Sequence, residues 1–89
     1  MEPWFVYLLR CADGTLYCGA TNDVDRRVAR HNAGTASRYT RARTPVALLA
    51  AVPTLSKGDA LRLEMAVKKQ PRARKLDFLK ASAPRPPEA

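Results

Sequence analysis

The apolar positions change rhythm along the chain, and each change predicts an element. Residues 4–11 (WFVYLLRC) and 15–20 (TLYCGA) are dense in aromatic and aliphatic side chains and flank a turn signal, so they read as a β-hairpin. Loop length then decides which side chains share a face, because successive strand residues point to opposite sides. A two-residue Asp13-Gly14 loop pairs Cys11 with Leu16 and sends Tyr7 and Tyr17 to opposite faces. A three-residue Ala12-Asp13-Gly14 loop, with Gly14 left-handed, pairs Leu9 with Tyr17. The second register sorts the residues better. Val6, Leu8, Leu16, Cys18 and Ala20 then form an almost wholly apolar face, and Tyr7, Leu9, Cys11, Thr15, Tyr17 and Gly19 form the other. In that register Tyr7 and Tyr17 are diagonal neighbours, and the two cysteines lie on opposite faces, against a disulfide.

A helical period follows. Thr21 or Asn22 is the expected N-cap, with Asp23 and Asp25 at the positive end of the dipole. Val24 and Val28 mark the expected buried stripe, and Gly34 is the stop signal. Arg27 and His31, four apart, share one face beside that stripe. Arg26 and Arg30 form a second pair that reads as solvent-facing. Residues 35–45 (TASRYTRARTP) are polar and basic and read as a loop or short helical turn. VALLAAV, Val46 to Val52 between two prolines, has no polar alternation and predicts a buried strand. Ser56, with Asp59 three residues on, starts a further helix as a short capping box. It ends before Pro71, which opens a last helix to about Ala81. The order is β-β-α-(loop or short α)-β-α-α, one domain over residues 1–81, with 82–89 (SAPRPPEA) expected to be a disordered Pro-rich tail.

Charge adds the first functional signal. Sixteen Lys and Arg stand against eight Asp and Glu, a net charge of +8 on 89 residues. Most of these cations are Arg, whose planar fork matches phosphate oxygens two at a time. Such a surplus points to a polyanion, most often nucleic acid. Ribosomal proteins share this composition, so charge alone implies binding and not chemistry. A 46% apolar content excludes a disordered chain. The N-terminus shows no basic region ahead of its apolar run, and that run is too short to span a bilayer. Two cysteines with no further Cys or His pair make no zinc set. The expectation is a cytoplasmic protein with reduced thiols and no membrane partner.

Glu64, whose neighbours three and four away are Ala60, Leu61, Val67 and Lys68, interrupts a mainly apolar helical stripe, so its carboxylate needs a partner. Two partners suit it: a nearby Arg, or a hard cation such as Mg²⁺, which takes one or two carboxylates and keeps several waters. The other polar candidates have equally plain structural explanations. A strand tyrosine packs, an isolated Arg is solvated, and a His near a helix C-terminus is favoured by the dipole. Cys18 reads as core, and Tyr39 among arginines either stacks a base or covers apolar surface.

In this order the residues resemble the GIY-YIG nuclease domain, in particular its small stand-alone bacterial (UPF0213-like) members. FVY (Phe5 to Tyr7) stands where the family has its first tripeptide, and YCG (Tyr17 to Gly19) where it has the second. DRRVARHN is similar to the family helix, placing its Arg at Arg27 and its His at His31, and Glu64 in LRLEMAVKK matches the metal-binding Glu. GTASRYTRARTPVALL resembles the stand-alone members specifically. Phe5 replaces the first Gly and Cys18 the central Ile, and no Asn follows Glu64 to match the one that closes many family sites.

The resemblance implies an α+β fold, with a small three-stranded, mainly antiparallel sheet flanked by helices. It also implies a Mg²⁺- or Mn²⁺-dependent endonuclease acting on DNA phosphodiesters in repair or recombination, with RNA left open as a substrate. Tyr7, aided by Tyr17 or by cations, would take the proton of the attacking water, for which a phenol of pKa about 10 needs help. Arg27 would bind the phosphate oxygens, Glu64 the metal, His31 would orient the phosphate or assist proton transfer, and Tyr39 would hydrogen-bond the same phosphate. Arg26, Arg30, Arg38, Arg41 and Arg43 are the expected nucleic-acid contacts. Nothing resembles an element for base readout, so recognition of DNA structure is expected. The alternative is a non-catalytic nucleic-acid-binding protein on the same scaffold.

Overall fold

β1 owes its central place in the sheet to being apolar on both faces. The computed structural model describes residues 3–83, in the order β1 (Trp4–Arg10), β2 (Leu16–Thr21), α1 (Val24–Asn32), α2 (Arg38–Arg41), β3 (Ala47–Thr54), α3 (Lys57–Lys68) and α4 (Arg72–Ala81). The strands lie in the order β2-β1-β3, both pairings antiparallel. Val6, Tyr7, Leu8 and Leu9 are all fully buried. Val6 and Leu8 join Cys18, Val52, Ala60, Val67 and Leu79 in a core under α3 and α4. Tyr7 and Leu9 join Cys11 and Val46 on the other side, with Tyr17 and Val28 packed against them. Residues 84–89 of the expected tail lie outside the described residues.

The hairpin has the three-residue loop. Leu9 pairs with Tyr17 and Arg10 with Leu16, and Gly14 turns the chain at φ +83°. Asp13 Oδ1 stiffens the tip by accepting from Thr15 N and Oγ1 at 3.1 and 2.6 Å. Tyr7 faces Gly19 across the strands, and a Cβ at Gly19 would clash with the Tyr7 Oη, Cζ and Cε1. Glycine is needed there for close approach.

Several local expectations are corrected. The cap of α1 is Asp23, not Thr21 or Asn22: its side chain accepts from Arg26 N at 3.1 Å. β2 runs on through Thr21, whose Oγ1 instead accepts from Asp23 N at 3.1 Å. Val24 and Val28 are half-buried, and His31 is the residue that α1 buries. β3 is not a buried strand. It lies on the sheet edge with Val52 as its one buried residue. Its start and end also shift. Val46 precedes the strand, and Pro53 lies within it opposite Phe5, which an edge tolerates because proline's missing donor leaves no central ladder bond unmade. Ser56 caps α3 as expected, accepting from Asp59 N at 3.1 Å. Pro71 is the N-cap of α4, one residue before its first turn.

Leu8 and Leu48 differ in burial, 0% against 43% exposed, and this sets a stability test. Leu8→Ala should cost about 2–5 kcal/mol in urea unfolding, whereas Leu48→Ala should stay within about 0.5 kcal/mol. Equal losses would contradict the edge placement of β3.

Candidate active site

Tyr7 on β1 has no exposed surface, so its hydroxyl must be satisfied internally. Its Oη lies 2.8 Å from His31 Nε2. The opposite ring nitrogen, Nδ1, lies 2.7 Å from Thr40 Oγ1 on α2. Thr40 Oγ1 in turn donates to the Ser37 carbonyl at 3.4 Å. His31 and Thr40 are as buried as Tyr7, 1% and 0% exposed. Strand, helix and short helix are thus joined by one polar chain, and no buried side-chain N or O atom among the described residues lacks a partner.

Aromatic packing surrounds that chain. The Tyr17 ring lies 6.4 Å from Tyr7, 5.0 Å from His31 in an edge contact, and 5.9 Å from Tyr39. The hairpin register therefore brings Tyr7 and Tyr17 together, and α1 and α2 add His31 and Tyr39 to the same cluster.

Burial is the largest cause that pushes the Tyr7 phenol up to about 12, followed by the neighbouring Tyr17. Arg27 pulls the other way by charge and hydrogen bonding, and Glu64 adds to the rise. Arg27 and Glu64 thus both act electrostatically on Tyr7. Burial, then the Arg27 and Arg30 charges, hold His31 below its ordinary value of 6.5. At neutral pH the pair is a phenol and an uncharged imidazole. Burial also raises the Cys18 thiol to about 12, which leaves it an inert core group.

The arginines divide. Arg26, Arg27 and Arg30 line one cleft of about 390 Å³ with Thr21, Asn22 and Asp23. Arg38 and Arg41 are exposed on α2. Arg43, expected as a phosphate contact, acts as a strut. Its Nε pairs with Asp13 Oδ2 at 3.0 Å, its Nη1 donates to Tyr39 O at 2.8 Å, and the guanidinium lies 4.0 Å from the Tyr39 ring centroid.

Glu64 is half-buried, with 19% of its side chain exposed, and Lys68 Nζ lies 2.9 Å from its Oε2. Its ion-pair partner is thus the lysine one turn on rather than an arginine. No group of three or more His, Cys, Asp and Glu gathers among the described residues. One half-buried carboxylate suits a hard cation that keeps its waters and takes phosphate oxygens, and does not suit a zinc cage.

Sequence reasoning missed Thr40 and Asn32, and placed Lys68 beside Glu64 without pairing the two. Asn32 accepts from Val46 N at 2.7 Å and donates to Val46 O at 3.2 Å, tying the end of α1 to the approach to β3. The Glu64–Lys68 spacing is a readable i,i+4 signal. Ser37, whose Oγ accepts from Tyr39 N and Thr40 N, is a readable cap. The meeting of Thr40 with His31 leaves no local signal.

Residues 3–77 match the family model described as the GIY-YIG catalytic domain. The chain is 55% identical over 78 residues to a UPF0213 protein of Nitratidesulfovibrio vulgaris, covering 88% of this chain and 71% of the relative. It is 49% identical over 81 residues to a UPF0213 protein of Xanthomonas axonopodis, covering 91% and 79%. Among solved structures, it is similar to the UPF0213 protein BH0048 from Bacillus halodurans (40% identity, TM-score 0.55, 91% and 86% covered). It is also similar to EF2693 from E. faecalis (34% identity, TM-score 0.62, with the same coverage of 91% and 86%).

A histidine held below its unfolded value stabilises the fold only while it is neutral. Its contribution is complete above the unfolded pKa of about 6.5 and is lost as pH falls through the lower folded value. The melting temperature should therefore be flat from pH 8 to 7 and decline below about 6.5. His31→Asn should be less stable at pH 8 and should lack that decline. Asp13 and Asp59, held below the ordinary carboxylate value of 3.8, act in a separate, more acidic window. A wild-type melting temperature that rises between pH 7 and 5.5 would overturn the assignment.

Proposed function

The chain belongs to the GIY-YIG catalytic domain family, a nuclease superfamily, and from that premise we propose that it is a cytoplasmic, metal-dependent endonuclease cutting DNA phosphodiesters. The observation that carries the proposal is the Tyr7–His31 hydrogen bond at 2.8 Å, placed where Arg27 and Glu64 both act on the phenol. A buried phenol needs an acceptor in any fold; what supports chemistry is that Arg27 and Glu64 both act electrostatically on the same hydroxyl.

The steps follow from these groups. Arg27, half-buried at the edge of the cleft, binds the non-bridging oxygens of the scissile phosphate. Drawn toward the phosphate, its guanidinium opens a way for water to Tyr7. Tyr7 then takes the proton of the attacking water while passing its own to His31 Nε2, so the phenol never has to ionise first. Tyr17 packs against this pair and Tyr39 against Tyr17, and both offer hydroxyls to the phosphate. Glu64 is the residue that would hold Mg²⁺ or Mn²⁺, whose charge, when bound, stabilises the charge building on the phosphate and the departing 3′ oxygen. Arg26, Arg30, Arg38 and Arg41 supply backbone contacts that read no sequence. Selection by DNA structure, and a place in repair or recombination, fit that mode of binding.

One observation favours a non-catalytic nucleic-acid-binding protein: Tyr7 is fully covered and its pKa is raised to about 12. A plasmid assay separates the two readings. Supercoiled DNA with Mg²⁺ or Mn²⁺ should be nicked by the wild type. It should survive intact with EDTA, Arg27→Ala or Glu64→Ala, each loss about a hundredfold or more, with unchanged circular dichroism. Cleavage by either variant at the wild-type rate would overturn the residue assignments. Binding without nicking on plasmid, flap and branched substrates would establish the binding protein. The Arg26→Ala/Arg30→Ala double variant should reduce the slope of log K against log salt by about 2.

A further inference from the structure

We propose that Thr40 is a positioning residue of this site, whose buried hydroxyl holds His31 with its proton on Nδ1 and so keeps Nε2 free to accept from Tyr7. The consequence for cleavage rests on the nuclease reading above; the tautomer itself does not.

The assignment follows from counting donors and acceptors. The Tyr7 hydroxyl is buried and has one proton to place. Arg27, close beside it, carries only donors, so the acceptor is His31 Nε2 at 2.8 Å. An uncharged imidazole that accepts on Nε2 carries its proton on Nδ1. Thr40 Oγ1, 2.7 Å from Nδ1, therefore accepts, and its own proton is directed to the Ser37 carbonyl at 3.4 Å. Ser37 is also the N-cap of α2, receiving Tyr39 N and Thr40 N. The same residue thus anchors the short helix and takes the last proton of the chain.

Tyr7 and Tyr17 face His31 from the strands, Arg27 and Arg30 act on it from its own helix, and Thr40 faces it from α2. None of these is a carboxylate. A carboxylate at Nδ1 would select the same tautomer but would also stabilise the imidazolium. A hydroxyl selects the tautomer without that charge, which suits an imidazole that must stay neutral until a proton arrives.

His31 is the single histidine of the chain, so its ring nitrogens give unambiguous ¹⁵N signals. The wild type and Thr40→Ser should show a protonated Nδ1 and a bare Nε2 at pH 7.5. Thr40→Val, similar in shape but without an acceptor, should shift the ring to the Nε2-protonated form or to a mixture. In cleavage, Thr40→Val should lose at least about tenfold in kcat with KM and salt slope unchanged, and Thr40→Ser should restore most of it. A wild type protonated on Nε2, or a folded Thr40→Val that keeps the wild-type spectrum, would overturn the proposal. So would a Thr40→Val that cuts at the wild-type rate. If Thr40→Val fails to fold, the spectra of the wild type and Thr40→Ser still decide. Should the wild type cut nothing, it is the nuclease reading that has failed, and the spectra remain the test of Thr40.

Discussion

A hydroxyl with no exposed surface has to find an acceptor, and the way Tyr7 finds one orders the rest of the site. β1 is central and buried on both faces, so Tyr7 cannot turn to solvent. Leaving its hydroxyl unpaired would cost about 1–3 kcal/mol. The acceptor comes from α1, and once His31 points inward the phase of that helix is set. Arg27, one turn earlier, is brought beside the phenol, and Arg26 and Arg30 turn toward the cleft. Val24 and Val28 are left half-buried. The other nitrogen of His31 makes a second demand, met by Thr40. That contact brings in α2, with Tyr39 and the Arg43–Asp13 strut that ties it to the hairpin tip.

The two faces of the sheet therefore do different work. Under α3 and α4 the core is aliphatic, with Val6, Leu8, Val52, Val67 and Leu79 buried. Each fully buried Val or Leu there contributes about 1.5–3 kcal/mol of transfer free energy. On the α1 side a phenol, an imidazole and a hydroxyl are buried beside Leu9, Cys11 and Val46. A polar chain of this kind is tolerable only when every member is satisfied, and Gly19 is what lets the phenol lie against β2 at all. The apolar side supplies the stability that the polar side draws on.

Much of this was legible in the sequence where side chains sort into two classes. The hairpin register follows from faces that are clean in one alignment and mixed in the other, and Gly14 at φ +83° is the physical reason for the longer loop. The meeting of Tyr7 with Tyr17 came with that register, and the approach of Arg27 and His31 with the helix period. The edge position of β3 was hidden because an apolar run looks the same whether both faces are covered or one is open. The pairing of Arg43 with Asp13 was hidden for a similar reason: residue type does not show that an arginine also serves as a strut, and only Asp13 at 3.0 Å does. The cap fell on Asp23 because backbone pairing extended β2 beyond its apolar residues. Thr40 was invisible because its partner comes from another helix.

The opposite displacements of Tyr7 and His31 also constrain how any proton can move between them. Burial moves Tyr7 up and His31 down, so moving the proton fully from phenol to imidazole is uphill at both groups. The resting pair is a phenol and an uncharged imidazole, and on the nuclease reading transfer to His31 coincides with the arrival of a proton on Tyr7. Arg27 cannot make that transfer downhill by itself, because its charge lowers both groups together. An anion seated on Arg27 changes the balance at His31, where neutralising the guanidinium removes one of the charges opposing an imidazolium. On the nuclease reading, the phosphate that occupies Arg27 is also what makes His31 a better acceptor, so substrate binding and proton acceptance are coupled through one side chain.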